Sequence, residues 1–419
     1  MIESIHIKNF RGIQDGKIDR FSKINLLVGP NNSGKSAVLE AIYLSNTASR
    51  KSVVSSFGIN YDATAPEQDL LGYDPMEIVC ERHMKKIETA QSSATISRQS
   101  AGKLSKGFSI QLGLGGIMSK VALFSIETGS GFAREANAKK DERFFFSLGK
   151  SFFEADFADP GIIVDKRLVY CWENGLTYYQ AGEAAWIVEG QIPCAQNTLF
   201  FDVQNTLRHL PFEFFRKMIV TVPGWTQKIG RRFGQVFDLS KQFNVNFFQS
   251  QDALHLTQGY ISPEDKIALA IDDYGDGSRS AFKLLTPLIA LAELATKEVP
   301  GVFIWEEPEL FQNPQSLGKL LAEVAALIKD KPIQVFIATH SIEVVAQFVR
   351  LVNEKAIADD ELSAIRLNLQ DGQLASSAFN HEEIQRWTAM NLDIRVPQGE
   401  VDSPLRFQFK ENRNDEAED

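Results

Sequence analysis

Ile5 and Ile7 alternate with polar neighbours near the start of the chain, the period-two pattern of a half-buried strand. Asn9-Phe10-Arg11-Gly12 follow. Ile24-Asn25-Leu26-Leu27-Val28 then reads as a mostly apolar, central strand that runs into Gly29-Pro30-Asn31-Asn32-Ser33-Gly34-Lys35-Ser36. Ala37 to Leu44 hold strong helix formers and no breaker, so the order predicted is strand, glycine-containing loop, helix. Short alternating pieces separated by Gly and Asn, such as Phe108 to Leu112 and Leu176 to Tyr179, predict antiparallel β structure from about Phe108 to Leu199. Residues 90–106, rich in Ser, Ala, Gln and Lys, read as a mobile loop or a poorly ordered insertion. Thr206 to Phe233 predicts helix. Further on the pattern gives a buried helix from Arg279 to Thr296 and a continuous apolar strand, Val302 to Trp305, ending in Glu306-Glu307-Pro308-Glu309. Leu317, Leu320, Leu321, Val324, Leu327 and Ile328 share one helical face, and Val335 to Thr339 is a strand ending at His340. Strand, helix, strand is the unit of a parallel sheet. No internal repeat or long heptad run is present.

Composition narrows the class. At 419 residues and 44% hydrophobic, the chain can build a substantial core, which excludes disorder throughout. The most apolar window, Ala281 to Ala295, is interrupted by Lys283, Pro287 and Glu293, short of the roughly 18 residues of a membrane span. The expectation is therefore no membrane association and, with no basic start and apolar stretch at the N-terminus, a cytoplasmic protein. Cys80, Cys171 and Cys194 show no metal spacing, and so few thiols suit a reducing compartment. A net charge of −10 argues against a protein coated in nucleic acid, yet one stretch is locally basic: Arg208, Arg216, Lys217, Lys228, Arg231 and Arg232 face Glu213 alone. Glu411 to Asp419 reads as a disordered acidic tail.

Gly29 to Ser36 fits the spacing G-x-x-x-x-G-K-S. Glycines let the backbone curl so that successive N–H groups face phosphates, and the following helix N-terminus adds its dipole. Lys35 can reach the β- and γ-phosphates, and Ser36 can ligate Mg²⁺. Glu306-Glu307 ends an apolar strand, where ligands sit in parallel sheets. The first acid can hold Mg²⁺ through water and the second can orient the attacking water; an exposed charged turn after an edge strand is the plain alternative. His340 closes the next strand, on the same side of the sheet, where it can meet the γ-phosphate. Tyr274-Gly275-Asp276-Gly277-Ser278-Arg279 opens a helix and fits either a further anion site or a simple tight turn.

Taken together, Ile7-Lys8-Asn9-Phe10-Arg11-Gly12, Gly29 to Ser36, Gly275 to Ser278, Trp305 to Glu309 and Ala338-Thr339-His340-Ser341 resemble, in order and spacing, the ABC-type ATPase heads of the SMC, RecF and OLD-like group. The resemblance implies an α/β fold: a P-loop head with a mixed or parallel sheet, an antiparallel β-rich lobe and a helical insertion. It implies ATP and Mg²⁺. It makes Lys35, Glu307 and His340 catalytic, with Ser36 and Glu306 at the metal. Arg11, Gly29, Asn31, Asn32, Ser33, Gly34, Lys35 and Ser36 hold nucleotide from one protomer, while Gly275, Gly277 and Ser278 of another reach the γ-phosphate across a head-to-tail dimer or higher homo-oligomer. The family's Q-loop glutamine has no evident place. Departures are Glu306 in place of the usual Asp, Phe311-Gln312-Asn313-Pro314 in place of Leu-His-Pro, and a signature without Leu-Ser-Gly-Gly.

The domain organisation read from these segments is 1–50 for the phosphate-loop part of the head, 51–205 for the β-rich lobe, 206–240 for a basic helical insertion, 241–410 for the C-terminal lobe and 411–419 for the tail. No Asp-x-Asp pair follows His340, so no nuclease activity is expected of this chain. The leading expectation is an ATP-driven switch for a separate effector protein, as in stand-alone OLD-like ATPases of prokaryotic antiviral defence. The alternative is a RecF-like repair ATPase that clamps DNA through Arg208 to Arg232.

Overall fold

In the computed structural model of the protein, residues 1–47, 109–114, 117–125, 166–172, 175–180, 197–203, 210–211, 218–238, 243–249, 256–263, 268–390 and 392–396 are described. The loop expected at 90–106 and the acidic tail lie outside them, as do Arg208, Arg216 and Lys217.

The hairpin β1 (Ile2–Phe10) and β2 (Ile13–Asp19) buries Ile5 and Ile7 between polar neighbours, as their alternation predicts. β3 (Ile24–Val28) is buried at every position and passes through the loop 29–34 into α1 (Lys35–Thr47). Four antiparallel strands follow: β4 (Ser109–Leu114), β5 (Ile117–Ser125), β6 (Lys166–Trp172) and β7 (Gly175–Gln180). Because β4 pairs with β1, this lobe is continuous with the head sheet.

Next come β8 (Asn197–Phe201), the short β9 (Leu210–Pro211) and α2 (Trp225–Val236). β8 falls within the stretch the sequence groups with the β-rich lobe, yet it pairs in parallel with a strand of the C-terminal part. β10 (Phe243–Gln249), β11 (Leu256–Pro263) and β12 (Leu269–Ala270) form, with β9, a small antiparallel sheet. The remainder alternates: α3 (Asp276–Leu294), β13 (Gly301–Glu306), α4 (Pro314–Ile328), β14 (Ile333–Ala338), α5 (Ile342–Asn353), β15 (Leu362–Gln370), β16 (Gln373–Asn380) and α6 (His381–Ala389). Asn313 caps α4 by accepting from the Ser316 N–H, with Pro314 in the first turn where its missing N–H costs nothing.

The large sheet has 12 strands in the order β7-β6-β5-β4-β1-β2-β16-β15-β3-β14-β13-β8. Within it β15, β3, β14, β13 and β8 run parallel, so their C-terminal ends share one edge. Residues of this block alternate between two cores. Leu26, Val28, Phe303, Trp305, Val335 and Ile337 face the layer of α2 to α5, whereas Leu27, Ile304, Phe336, Ala338 and Ile365 face α1. Each fully buried Leu, Ile or Phe contributes roughly 1.5–3 kcal/mol, and a register slip of one residue would exchange the faces of a whole strand. The parallel register, and with it the alignment of the strand ends, is therefore strongly determined.

Candidate active site

The phosphate loop is built from backbone that few residues adopt. Gly29 has φ 145° and Gly34 φ 93°, with Asn32 at φ 62°, a left-handed position that Asn tolerates. A Cβ on Gly29 would stand 2.5 Å from the Leu367 carbonyl oxygen and 2.8 Å from Ser33 Oγ, so only glycine fits there. Asn31 and Asn32 are exposed and Ser33 is buried beneath the loop. Lys35 opens α1 and is 6% exposed. Its Nζ donates to the carbonyl oxygens of Gly29 and Pro30, both at 2.9 Å, and to Ser33 Oγ at 3.3 Å. Burial pushes the ammonium down to about 8, against the pull of the Glu307, Glu306 and Glu309 carboxylates.

The ends of the neighbouring strands bring the other groups. Thr339 N–H donates to the Leu27 carbonyl at 3.1 Å and Glu307 N–H to the Ala338 carbonyl at 2.8 Å, tying the ends of β3, β14 and β13 together. Ser36 is hydrogen-bonded to the Glu306 carboxylate. Burial raises the pKa of Glu306, and Glu40, Asp202 and Glu307 raise it further by crowding negative charge around it. Glu307 sits at φ 52°, a strained conformation of the kind that collects at functional sites. Its Oε1 lies 3.9 Å from His340 Nε2, too far for a direct hydrogen bond. Burial lowers the pKa of His340, helped by the Lys35 and Arg395 charges and opposed by Glu307 and Glu309.

Lys35, Ser36, Glu306, Glu307 and His340 thus meet at one edge, as the sequence spacing led one to expect. Arg11 stands at φ 54° in the β1–β2 turn, and its guanidinium pairs with the buried Glu40 carboxylate on α1. The turn Gly275–Ser278 opens α3, and its neighbours are Phe311 and Gln312. Gln312 Nε2 donates to the Gly277 carbonyl at 2.8 Å. A Cβ on Gly277 would be 2.7 Å from the Phe311 carbonyl, so this glycine has a packing reason of its own, whereas Gly275 faces open space. No hydrogen bond among the described residues joins this turn to the phosphate loop of the same chain.

Sequence reasoning missed several members. Asp202 follows β8 and is 5% exposed, and Glu40 is 2% exposed one helical turn beyond Ser36. Glu309 accepts from Thr339 Oγ1 and from the His340 N–H, both at 2.9 Å. Arg395 donates through Nη1 to the His340 carbonyl at 2.5 Å and grips Asp393 through Nε and Nη2. Glu309 was in plain sight within Glu306-Glu307-Pro308-Glu309. Arg395 and Asp393 carry no spacing signal at all.

The donor set fits Mg²⁺ bound together with a phosphate. Mg²⁺ is usually held by one or two carboxylates plus substrate phosphates and waters, not by an all-protein cage. Ser36 Oγ and the Glu306 carboxylate supply such a pair, in surroundings whose crowded negative charge favours a cation.

The family model described as AAA ATPase domain matches residues 1–152, and that described as AAA domain, putative AbiEii toxin, Type IV TA system, matches residues 220–346. An ATP/GTP phosphatase of Helicobacter pylori is 54% identical over 43 residues, 10% of this chain and 12% of that protein. The DNA replication and repair protein RecF of Francisella tularensis is 36% identical over 86 residues, 20% of this chain and 25% of the relative. The chain thus spans a quarter or less of the length of these relatives. The Smc head domain with an extended coiled coil bound to the C-terminal domain of ScpA, from Pyrococcus furiosus, aligns with a TM-score of 0.46 and 11% identity, covering 93% of this chain and 99% of that one. The family matches, with a phosphate loop and acidic strand end on a mixed sheet, support an ATPase head of the ABC type.

The Asp393–Arg395 pair makes a pH-dependent contribution that can be measured. Burial alone would raise the Asp393 carboxyl, but the Arg395 hydrogen bonds and charge outweigh it and hold it below its ordinary value of 3.8. A depressed carboxyl stabilises the fold above that value and ceases to do so as pH falls through the folded-state pKa. Asp393→Asn is expected to be less stable than the wild type at neutral pH, with the gap closing below pH 3.8. Denaturant titrations at pH 7 and at successive acid pH values compare the two; a gap that does not narrow at any acid pH at which the fold persists contradicts an ionic origin.

Proposed function

We propose that this chain is an Mg²⁺-dependent ATP hydrolase, ATP plus water giving ADP and phosphate, whose heads associate head to tail around nucleotide and switch a separate effector protein in prokaryotic antiviral defence. The observation that carries the hydrolase reading is the convergence of Lys35, Ser36, Glu306, Glu307 and His340 on one strand edge, with a gap of 3.9 Å between Glu307 Oε1 and His340 Nε2. A water bridging such a gap can hydrogen-bond to both groups.

In this reading Lys35 exchanges the carbonyls of its own loop for phosphate oxygens, and the Gly29 to Ser36 backbone N–H groups cradle the same phosphates. Ser36 and Glu306 would hold Mg²⁺, which when bound would supply positive charge to offset the negative charge that builds up on the phosphates in the transition state. Glu307 orients the attacking water and accepts its proton. His340, with its pKa depressed, remains a neutral imidazole that hydrogen-bonds on the other side of the water or to the γ-phosphate. Arg11 acts through Glu40 on the helix that carries Ser36. Gly275 and Ser278 open a helix N-terminus toward a second protomer, and Gly277 supports that turn by its fit against Phe311.

The defence reading draws on the match to a domain described as a putative AbiEii toxin of a Type IV TA system. No nuclease activity is proposed for the chain itself. A second reading, a DNA-clamping ATPase, draws on the likeness to RecF. Its weak point is the basic stretch. Lys228 pairs with Glu293 at 2.9 Å and Arg232 with Glu323 at 2.5 Å, which leaves exposed Arg231 as the one cation of the described part of that stretch without an ion-pair partner there.

Glu307→Gln is expected to retain ATP binding and lose turnover by about 10²-fold or more, because it removes a charge from the site of the attacking water. Phosphate release measured against nucleotide affinity separates the two effects, and wild-type turnover in the variant would sink the assignment. Composite sites have their own test. Gly275→Asp places an acid where open space receives it, so it should abolish hydrolysis without disturbing the fold. Mixing it with a Lys35→Ala protomer should partly restore ATPase activity. No recovery, with subunit exchange confirmed, argues for sites completed within one chain; salt-steep binding of duplex DNA by the wild type would favour the second reading.

A further inference from the structure

His340 is held by more than its place at the end of β14. Both backbone groups of this one residue are clamped by charged side chains. Its N–H donates to Glu309 Oε1 at 2.9 Å, and its carbonyl oxygen accepts from Arg395 Nη1 at 2.5 Å. On the first side, Glu309 is fixed by its other oxygen, which accepts from Thr339 Oγ1 at 2.9 Å; Thr339 is fully buried, and the same hydroxyl accepts from the Ser341 N–H. On the second side, the guanidinium is fixed by Asp393, a carboxylate whose side chain is 4% exposed. Asp393 Oδ1 accepts from Arg395 Nε and from the Arg395 backbone N–H, both at 2.9 Å, and its other oxygen accepts from Nη2 at 2.5 Å.

The segment carrying these two residues is anchored independently. Ile394 between them is 2% exposed in the core, and the Val396 carbonyl accepts from Arg366 Nη1 at 3.0 Å. The Arg366 guanidinium lies over both the Phe379 and the Trp387 ring, 5.2 Å from each centroid, and the two rings meet edge to face at 5.4 Å. Residues 392–396 therefore form a strap from beyond α6 back to the end of β14, with the forked guanidinium of Arg395 at its point of contact. A planar fork that spends two donors on one carboxylate and aims a third at a carbonyl is a rigid spacer, which a flexible ammonium cannot reproduce.

We infer that Arg395, fixed by Asp393, is a positioning residue for hydrolysis: it sets the backbone of His340 and so the place of the imidazole opposite Glu307. It does not touch the reacting atoms. The inference rests on the reading of Glu307 and His340 as the groups flanking the attacking water. Because positioning errors of about 1 Å can cost on the order of a hundredfold in rate, a clamp on both peptide groups of His340 is a means of holding turnover.

The test is a double-mutant cycle on the full chain, with turnover, KM and nucleotide affinity measured for each variant. Arg395→Gln should lower kcat by about tenfold or more while nucleotide affinity stays within about twofold, since the phosphate loop is untouched. In a His340→Ala background the same substitution should cost less than about twofold, because the group it positions is gone. Arg395→Lys keeps a cation beside buried Asp393 and so guards the fold; it should lose kcat by several-fold and lose that effect, too, in the His340→Ala background. Equal losses in both backgrounds, or full kcat in folded Arg395→Gln or Arg395→Lys, overturn the inference. Glu307→Gln serves as the control. If it keeps wild-type turnover, the reading of the site itself fails; if it is inactive while Arg395 variants turn over normally, only the positioning role fails.

Discussion

The parallel pairing of β3 with β14 and of β14 with β13 is the constraint on which everything else hangs. Hydrogen-bond register aligns Leu27 with Ala338 and Ala338 with Glu306, so the phosphate loop, His340 and the acidic pair emerge side by side from three adjacent strands. Two cores enforce that register from opposite faces, one under α1 and one under α2 to α5. A slip in any of the three strands would both displace a side chain of the candidate site and turn apolar residues toward the wrong layer. Packing and chemistry are thus decided by the same set of backbone hydrogen bonds.

Charge at this edge is arranged to need a ligand. Five carboxylates, those of Glu40, Asp202, Glu306, Glu307 and Glu309, act on Glu306 or Lys35 or belong to that set themselves, while Lys35 is spent on the carbonyls of its own loop. Burial pushes Lys35 down and Glu306 up, so both charged forms are disfavoured as the chain stands. A phosphate with its divalent cation addresses both at once: anionic oxygens for the ammonium, a cation for the crowded carboxylates. Functional sites hold perturbed groups for this reason, and the perturbation here has an identified physical cause on each side.

What the sequence made legible follows from how local the signal is. Gly29 to Ser36 is contiguous, and its glycines are demanded by φ 145° and φ 93° within a few residues of the lysine they serve. Glu306, Glu307 and His340 were readable because apolar strands end just before them, and parallel strands end together. Asp202 was hidden because β8 was grouped with the antiparallel region, although it pairs in parallel with β13. The Arg11–Glu40 pair joins residues 29 apart, and the Arg395 contact to His340 spans 55, with no periodicity to announce either. The partners of the basic stretch were not legible from its charge: Lys228 and Arg232 end in ion pairs with Glu293 and Glu323, while Arg231 is exposed and Arg208, Arg216 and Lys217 lie outside the described residues. Lys228 and Glu293, with side chains 40% and 36% exposed, form a surface pair of the kind that contributes on the order of 0–1 kcal/mol.

The central claim is that Lys35, buried over its own loop at the helix N-terminus, is there to bind the phosphates of ATP. The most direct measurement is titration calorimetry of ATP with Mg²⁺ into the wild-type chain and into Lys35→Ala, with melting curves recorded for both. The account predicts measurable ATP binding by the wild type, binding lost in the variant by about a hundredfold or more, in keeping with loss of a charge-assisted contact in a buried site, and a melting temperature no lower than that of the wild type. Equal ATP affinity in the two proteins, at an intact fold, would contradict it.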